Sequence, residues 1–210
     1  MLVGHFAAGM AAKRLKPETP LGSLVLAAML ADMLWLVFMA AGIERIEVGP
    51  GRGIEAIASA HIPWSHSLLM VAMWGAALAF QIRRSWIIFA AALSHWVLDW
   101  IAHPPRDLAL APGLHRFFGL GLWTSIPATL VVEGGMWVAA IVIYLRMTKP
   151  RTRAGIWGFW AVVVLLTLLW LGNLRSGPTA PNLAAESISF VVFGLSIGWA
   201  YWMDRVRQTV

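Results

Sequence analysis

The sequence predicts a single-domain, all-α integral membrane protein with about six transmembrane helices and one short N-terminal helix, and three observations lead there. Apolar residues make up 60% of the 210-residue chain and charged residues 12%, against roughly 45–50% and about 25% in soluble domains. The apolar residues gather into stretches of bilayer length. Lysine and arginine are dense in one set of connecting loops and sparse in the alternate set. With a mean hydropathy of +0.73, a water-soluble fold has too few charges to cover its apolar surface, and disorder is excluded because it needs low hydrophobicity. The absence of cysteine removes disulfides, thiolate metal sites and a cysteine nucleophile.

A bilayer core of about 30 Å takes roughly 20 apolar residues per helix. The expected spans are 20–42, 66–82, 86–103, 126–146, 154–172 and 183–203. Thr19 before Pro20 reads as an N-cap with proline at the first helical position. Ser65, Ser85 and Ser125 are placed to cap the second, third and fourth helices, and Pro104 and Pro150 follow the ends of the third and fourth. The first 12 residues are too short to cross as a helix and read as an interfacial or re-entrant segment. No basic residue precedes them, so a secretory signal is not expected. Trp86, Trp100, Trp157, Trp170, Trp199 and Trp202 fall near predicted helix ends, where an amphipathic ring suits the headgroup region. Gly194 and Gly198 form a GxxxG suited to close packing within the bundle or between subunits of a homo-oligomer.

Lysine and arginine number eleven in segments 13–16, 83–84, 146–153 and 205–207. The opposite side receives five, Arg45, Arg52, Arg106, Arg116 and Arg175, offset by Glu44, Glu47, Glu55 and Asp107. By the positive-inside rule both termini are cytoplasmic. The net charge of +6 is thereby explained by topology, and no basic face or recognition motif points to nucleic acid.

An ionisable side chain at the bilayer centre costs roughly 2.5–3.5 kcal/mol on insertion scales and marks a site. Asp32, His95, Asp99 and Glu133 lie inside spans, His66 begins one, His103 ends one, and His5 lies in the short helix. His95, Asp99 and His103 share a helical face at spacings of four. His61 and His66 flank a proline turn on the side where the third helix ends. Each of these also has a structural reading, as a buried hydrogen bond between helices or an interfacial histidine. Glu133 is a protonated structural acid or a general acid/base. His115 and Glu186 read as loop residues, and Arg106 and Arg116 as solvated loop charges. Imidazoles and carboxylates without cysteine suit Zn²⁺, with Mn²⁺ or Fe²⁺ as alternatives.

The series Gly4-His5, Ala31-Asp32, His61-x-x-x-Ser65-His66-Ser67-Leu68-Leu69 and Leu93-Ser94-His95-x-x-x-Asp99 resembles the motif series of the inner-membrane metal-dependent hydrolases, also called LexA-binding inner-membrane-associated hydrolase-like. That family runs G-H, P-D, HRGxTHS and SHxxxD, followed by a proline- and glycine-containing segment, here residues 103–113. The resemblance covers residues 1–113, leaving 114–210 as packing and substrate-access helices. The family is itself distantly similar to zinc-dependent phospholipase C. The resemblance implies metal binding by His5, Asp32, His66, His95 and Asp99. Ala31 replaces the usual proline, Leu34 the second acid, and Ile62-Pro63 the arginine-glycine pair.

The expected function is metal-assisted hydrolysis of a phosphoester or ester in a membrane lipid or lipid-linked substrate. Glu133, or whichever of His61 and His103 is not a ligand, carries the proton. The runner-up is a proton or divalent-cation transporter or channel using the same buried groups, and a third reading is a non-enzymatic membrane scaffold. One geometric demand accompanies the metal. Asp32 lies about 15 Å deep in an unbroken span, whereas His66 and Asp99 lie shallower, so the first helix must shift or the 61–66 loop must dip inward.

Overall fold

The computed structural model describes residues 1–48, 57–176 and 183–210, and it is predominantly helical. In chain order the helices are α1 (Leu2–Ala12), α2 (Leu21–Ala28), α3 (Leu30–Ala40), α4 (Pro63–His66), α5 (Leu68–Gln81), α6 (Trp86–Ala102), α7 (Ile126–Met147), α8 (Arg153–Ser176) and α9 (Leu183–Val206). Three two-stranded antiparallel ribbons join them: β1 (Arg45–Val48) with β2 (Ile57–His61), β3 (Leu108–Ala109) with β4 (Phe117–Phe118), and β5 (Thr148–Pro150) with β6 (Arg207–Thr209). Arg52 and Glu55 lie outside the described residues, as does the side chain of Glu186.

By length and composition, α7 and α8 are apolar enough to cross a membrane, and the α2–α3 pair is a third span if its two halves are one. The six expected spans are therefore met in part. The segments 66–82 and 86–103 yield the shorter apolar helices α5 and α6, of 14 and 17 residues. Segment 20–42 is broken between Ala28 and Leu30, where the chain bends by 53°. Segment 183–203 yields α9, which carries Ser187, Ser189, Ser196 and Asp204 along its length.

Two apolar clusters hold the bundle together. In one, Phe6 and Met10 of α1 meet Val25, Trp137, Tyr144 and Phe159. In the other, Leu24 and Ala27 of α2 pack on Ile87, Ile88 and Ala91 of α6. The small residues of α1 and α2 let these helices approach: a side chain at Gly9 would stand 3.0 Å from the Val25 backbone. Outward faces of α7, α8 and α9 carry exposed Val131, Val138, Trp157, Leu168 and Leu195, as a lipid-facing surface requires.

Several end signals shift. Pro20 is itself the N-cap of α2, one residue before its predicted place. Ser125 caps α7 through the Ala128 N–H at 3.4 Å. Ser65 caps nothing, because its hydroxyl is drawn to Glu44, and Ser67 precedes α5 instead. Trp86, Trp100, Trp157 and Trp202 are exposed near helix ends. Trp170, by contrast, lies in the core, and Trp199 donates to the Gly158 carbonyl at 3.2 Å. A side chain built at Gly194 or Gly198 meets nothing within 4 Å, so the GxxxG face is not packed within the bundle.

Candidate metal centre

Four segments deliver their ionisable groups to one end of α6. Helix α1 contributes His5, α3 Asp32, α4 His66, and α6 both His95 and Asp99, with His103 at its C-cap. The break in the first long segment meets the geometric demand posed by Asp32. The turn at Met29 swings α3 so that Asp32 Oδ1 lies 3.5 Å from His66 Nε2 and 3.8 Å from His95 Nε2.

Asp99 is the hub. Its Oδ1 lies 3.0 Å from His5 Nε2, while its Oδ2 lies 3.0 Å from His95 Nε2, 3.6 Å from His66 Nε2 and 4.0 Å from His103 Nε2. The His5 and His95 rings stack with centroids 3.7 Å apart. The Met1 ammonium stands 2.8 Å from His5 Nε2 and 3.1 Å from Asp99 Oδ1, so a positive charge sits at the edge of the cluster. Burial first, then its neighbours His95 and the Met1 ammonium, push His5 down to about 3. That keeps its imidazole neutral, the form in which histidine binds metals. Two overlapping sets, His5 with Asp32 and His95, and His66 with His95 and Asp99, each hold their ligand atoms within 4.8 Å of one another.

The proton positions decide whether these groups suit an ion. His95 Nδ1 lies 2.7 Å from the Ala28 carbonyl, which can only accept, so Nδ1 carries the proton. That carbonyl is free because α2 ends there, leaving its last carbonyls without helical partners. His103 Nδ1 lies 3.1 Å from Asp107 Oδ2, the carboxylate–histidine arrangement common behind metal ligands. His66 Nδ1 lies 2.6 Å from Ser65 Oγ. Three imidazoles thus have Nδ1 committed and turn Nε2 toward carboxylate oxygens. His95 Nε2 is the sharpest case: it is buried and has no hydrogen-bond partner despite the nearby Asp99 oxygen. A bare lone pair facing carboxylates is repelled, so this place calls for a cation, a proton or a metal ion. The donor set, imidazole nitrogen and carboxylate oxygen, fits a divalent ion.

Of the sequence-predicted residues, His5, Asp32, His66, His95, Asp99 and His103 come together. Glu133 of α7 is buried beside them, but its Oε1 accepts from the Gly4 N–H at 3.1 Å and so ties α7 to α1. His61 is exposed on β2 and lines a small cleft with Asp107, Leu114 and His115, apart from the cluster. Sequence reasoning took Glu44 and Asp107 for loop charges and Ser65 for a cap. All three are buried and bonded around the centre. The spacing of Asp107, four residues after His103, was the available signal; Glu44 offered none.

Comparison of the chain with protein-family models, with curated proteins and with solved structures gives no match.

Proposed function

We propose that this protein is a multi-pass, metal-dependent hydrolase of a bacterial inner membrane, with both termini cytoplasmic. It acts on a phosphoester or ester of a membrane lipid or lipid-linked substrate. The observation that carries the reading is the buried, partnerless Nε2 of His95 among Asp32, Asp99 and His66. The resemblance of residues 1–113 to the inner-membrane metal-dependent hydrolases supports the same reading.

His66, His95, Asp32 and Asp99 would hold the ion, zinc in the first place and manganese or iron otherwise, with His5 completing the set. When bound, such an ion supplies Lewis-acid polarisation of a substrate oxygen and acidifies water. The protein's own part is to place a proton acceptor beside it. His103 suits this role better than Glu133, which holds α1, or His61, which is exposed. Its Nε2 lies at the rim of the cluster, and Asp107 on Nδ1 balances the imidazolium that forms when Nε2 takes a proton. Asp32, with 18% side-chain exposure, is the least enclosed member and marks the open side of the centre.

Elemental analysis by mass spectrometry tests the metal. The protein is purified in detergent without a metal-affinity step, beside a His95→Ala/Asp99→Ala variant. Zinc or manganese near one equivalent or more, lost in the variant, is expected. A folded native protein without metal overturns the reading and moves a proton pathway to first place, because a proton on His95 Nε2 also satisfies the carboxylates. The open face at Gly194 and Gly198 is where a second copy would pack in a homo-oligomer.

A further inference from the structure

Glu44 lies one residue before β1, and Ser65 lies four residues after β2. Register pairing of Arg45 with His61 brings the two ends of this hairpin together. Glu44 is 3% exposed although it sits in a loop. Its Oε1 accepts from the Trp64 and Ser65 N–H groups, both at 2.8 Å. These are the free amide donors of α4's first turn, whose opening residue, Pro63, has none. Its Oε2 accepts the Ser65 hydroxyl at 2.6 Å.

That last bond fixes a proton elsewhere. Ser65 has one hydroxyl proton and gives it to Glu44, so toward His66 the same oxygen can only accept. The 2.6 Å contact to His66 Nδ1 is then an Nδ1–H donating to Ser65 Oγ, and in a neutral His66 Nε2 is left as the lone pair. Nε2 is the atom that faces Asp32 and Asp99. We infer that Glu44 is a positioning residue that sets the tautomer of His66 through Ser65, presenting Nε2 to the centre in ligand form. Without this relay a neutral imidazole is free to carry its proton on Nε2, where it would exclude a metal ion.

The relay predicts an unusual outcome for the isosteric change Glu44→Gln. The two amide donors require the carbonyl oxygen of glutamine at the Oε1 place, so its NH₂ lies at the Oε2 place and donates to Ser65 Oγ. Ser65, no longer donating to residue 44, then has its proton free for His66 Nδ1, and the His66 proton moves to Nε2. The cap of α4 survives while the ligand form is lost.

The test uses the full chain in detergent, metal-free and ¹⁵N-labelled at histidine, with the His66 signals assigned by their absence in a His66→Gln variant. At pH 8 the native protein is expected to show a protonated Nδ1 at His66, and Glu44→Gln a bare Nδ1 with the proton on Nε2. A native His66 with a bare Nδ1, or an Nδ1 still protonated in a folded Glu44→Gln protein, overturns the inference. Should Glu44→Gln fail to fold, Ser65→Ala serves. It is expected to leave His66 a mixture of tautomers, and a tautomer still wholly on Nδ1 overturns the relay. A second readout rests on the metal reading above: zinc affinity of Glu44→Gln should fall about 10–100-fold, the usual cost of losing a partner behind a metal ligand. If native protein takes up no zinc, the hydrolase reading fails while the tautomer result stands or falls alone.

Discussion

At the scale of residues, the question is which histidine holds and which one moves a proton. His95 is enclosed on every side: Nδ1 on the Ala28 carbonyl, its ring against His5, Nε2 among carboxylates. His103 differs. It sits at the C-cap of α6, its Nε2 is 4.0 Å from Asp99 Oδ2, and its ring leans on Trp123 with centroids 4.5 Å apart. A residue at the rim with a carboxylate behind it can take up and release a proton, whereas an enclosed one cannot exchange it. His103→Ala should therefore reduce ester hydrolysis by about 10²–10⁴-fold, the usual contribution of a general acid or base, and leave metal content unchanged. His66→Ala should lower metal content itself. Turnover assays paired with elemental analysis separate the two, and metal loss in His103→Ala would make it a ligand instead.

At the scale of elements, the site depends on two devices that hold irregular backbone in place. One is the break between α2 and α3, which frees the Ala28 carbonyl and carries Asp32 toward His66. The other is the outer loop over the end of α6. Gly121 N–H donates to the His103 carbonyl at 2.8 Å and Leu120 N–H to the Trp100 carbonyl at 2.7 Å. A side chain at Gly119 would run into the His103 and Pro104 carbonyl oxygens. Gly119→Ala should thus displace the loop, at a cost of about 1–3 kcal/mol by analogy with overpacked cores. Thermal unfolding followed by tryptophan fluorescence would register it as a lower Tm, and an unchanged Tm would mean the loop yields freely. The two devices also mark how far sequence reaches. The spacings of His95, Asp99 and His103 display a shared face directly, since a helix repeats every 3.6 residues. The break at Met29 could not be read, because the stretch from Leu24 to Leu34 contains neither glycine nor proline to signal one. Glu44 was equally hidden. Its partner is 21 residues away across a hairpin, and an acid in a polar loop looks solvated until that pairing is known.

At the scale of the whole molecule, buried polar groups collect at two ends with an apolar stretch between them. The second end holds Lys13, whose Nζ lies 2.8 Å from Asp204 Oδ1 and 3.0 Å from the Thr19 carbonyl. Asp204 Oδ2 also accepts the Leu21 N–H at 2.6 Å, and Ser23 meets the Tyr201 hydroxyl at 2.9 Å. These bonds latch α1 and α2 to the end of α9. Between His5 and Lys13, helix α1 presents Phe6, Ala7 and Met10 to the core, a rise of about 12 Å at 1.5 Å per residue. Along α6, Ala92, Ala91, Ile88 and Ile87 continue the same apolar layer below His95. A proton path across the protein would need polar steps through this layer, and these faces offer none among the described residues. The latch and the centre should accordingly respond to mutation independently. Lys13→Ala leaves the Asp204 carboxylate without its ammonium. Because Asp204 keeps 27% side-chain exposure and the Leu21 N–H, the cost should be about 2 kcal/mol, below the roughly 3–5 kcal/mol of a fully buried broken pair. Lower thermal stability with metal content and hydrolysis per folded molecule unchanged is the expected result. In liposomes, neither this variant nor the native protein should dissipate a proton gradient. Proton flux that disappears with Asp32→Asn would show that the two ends communicate through the apolar layer, and would replace hydrolysis with transport.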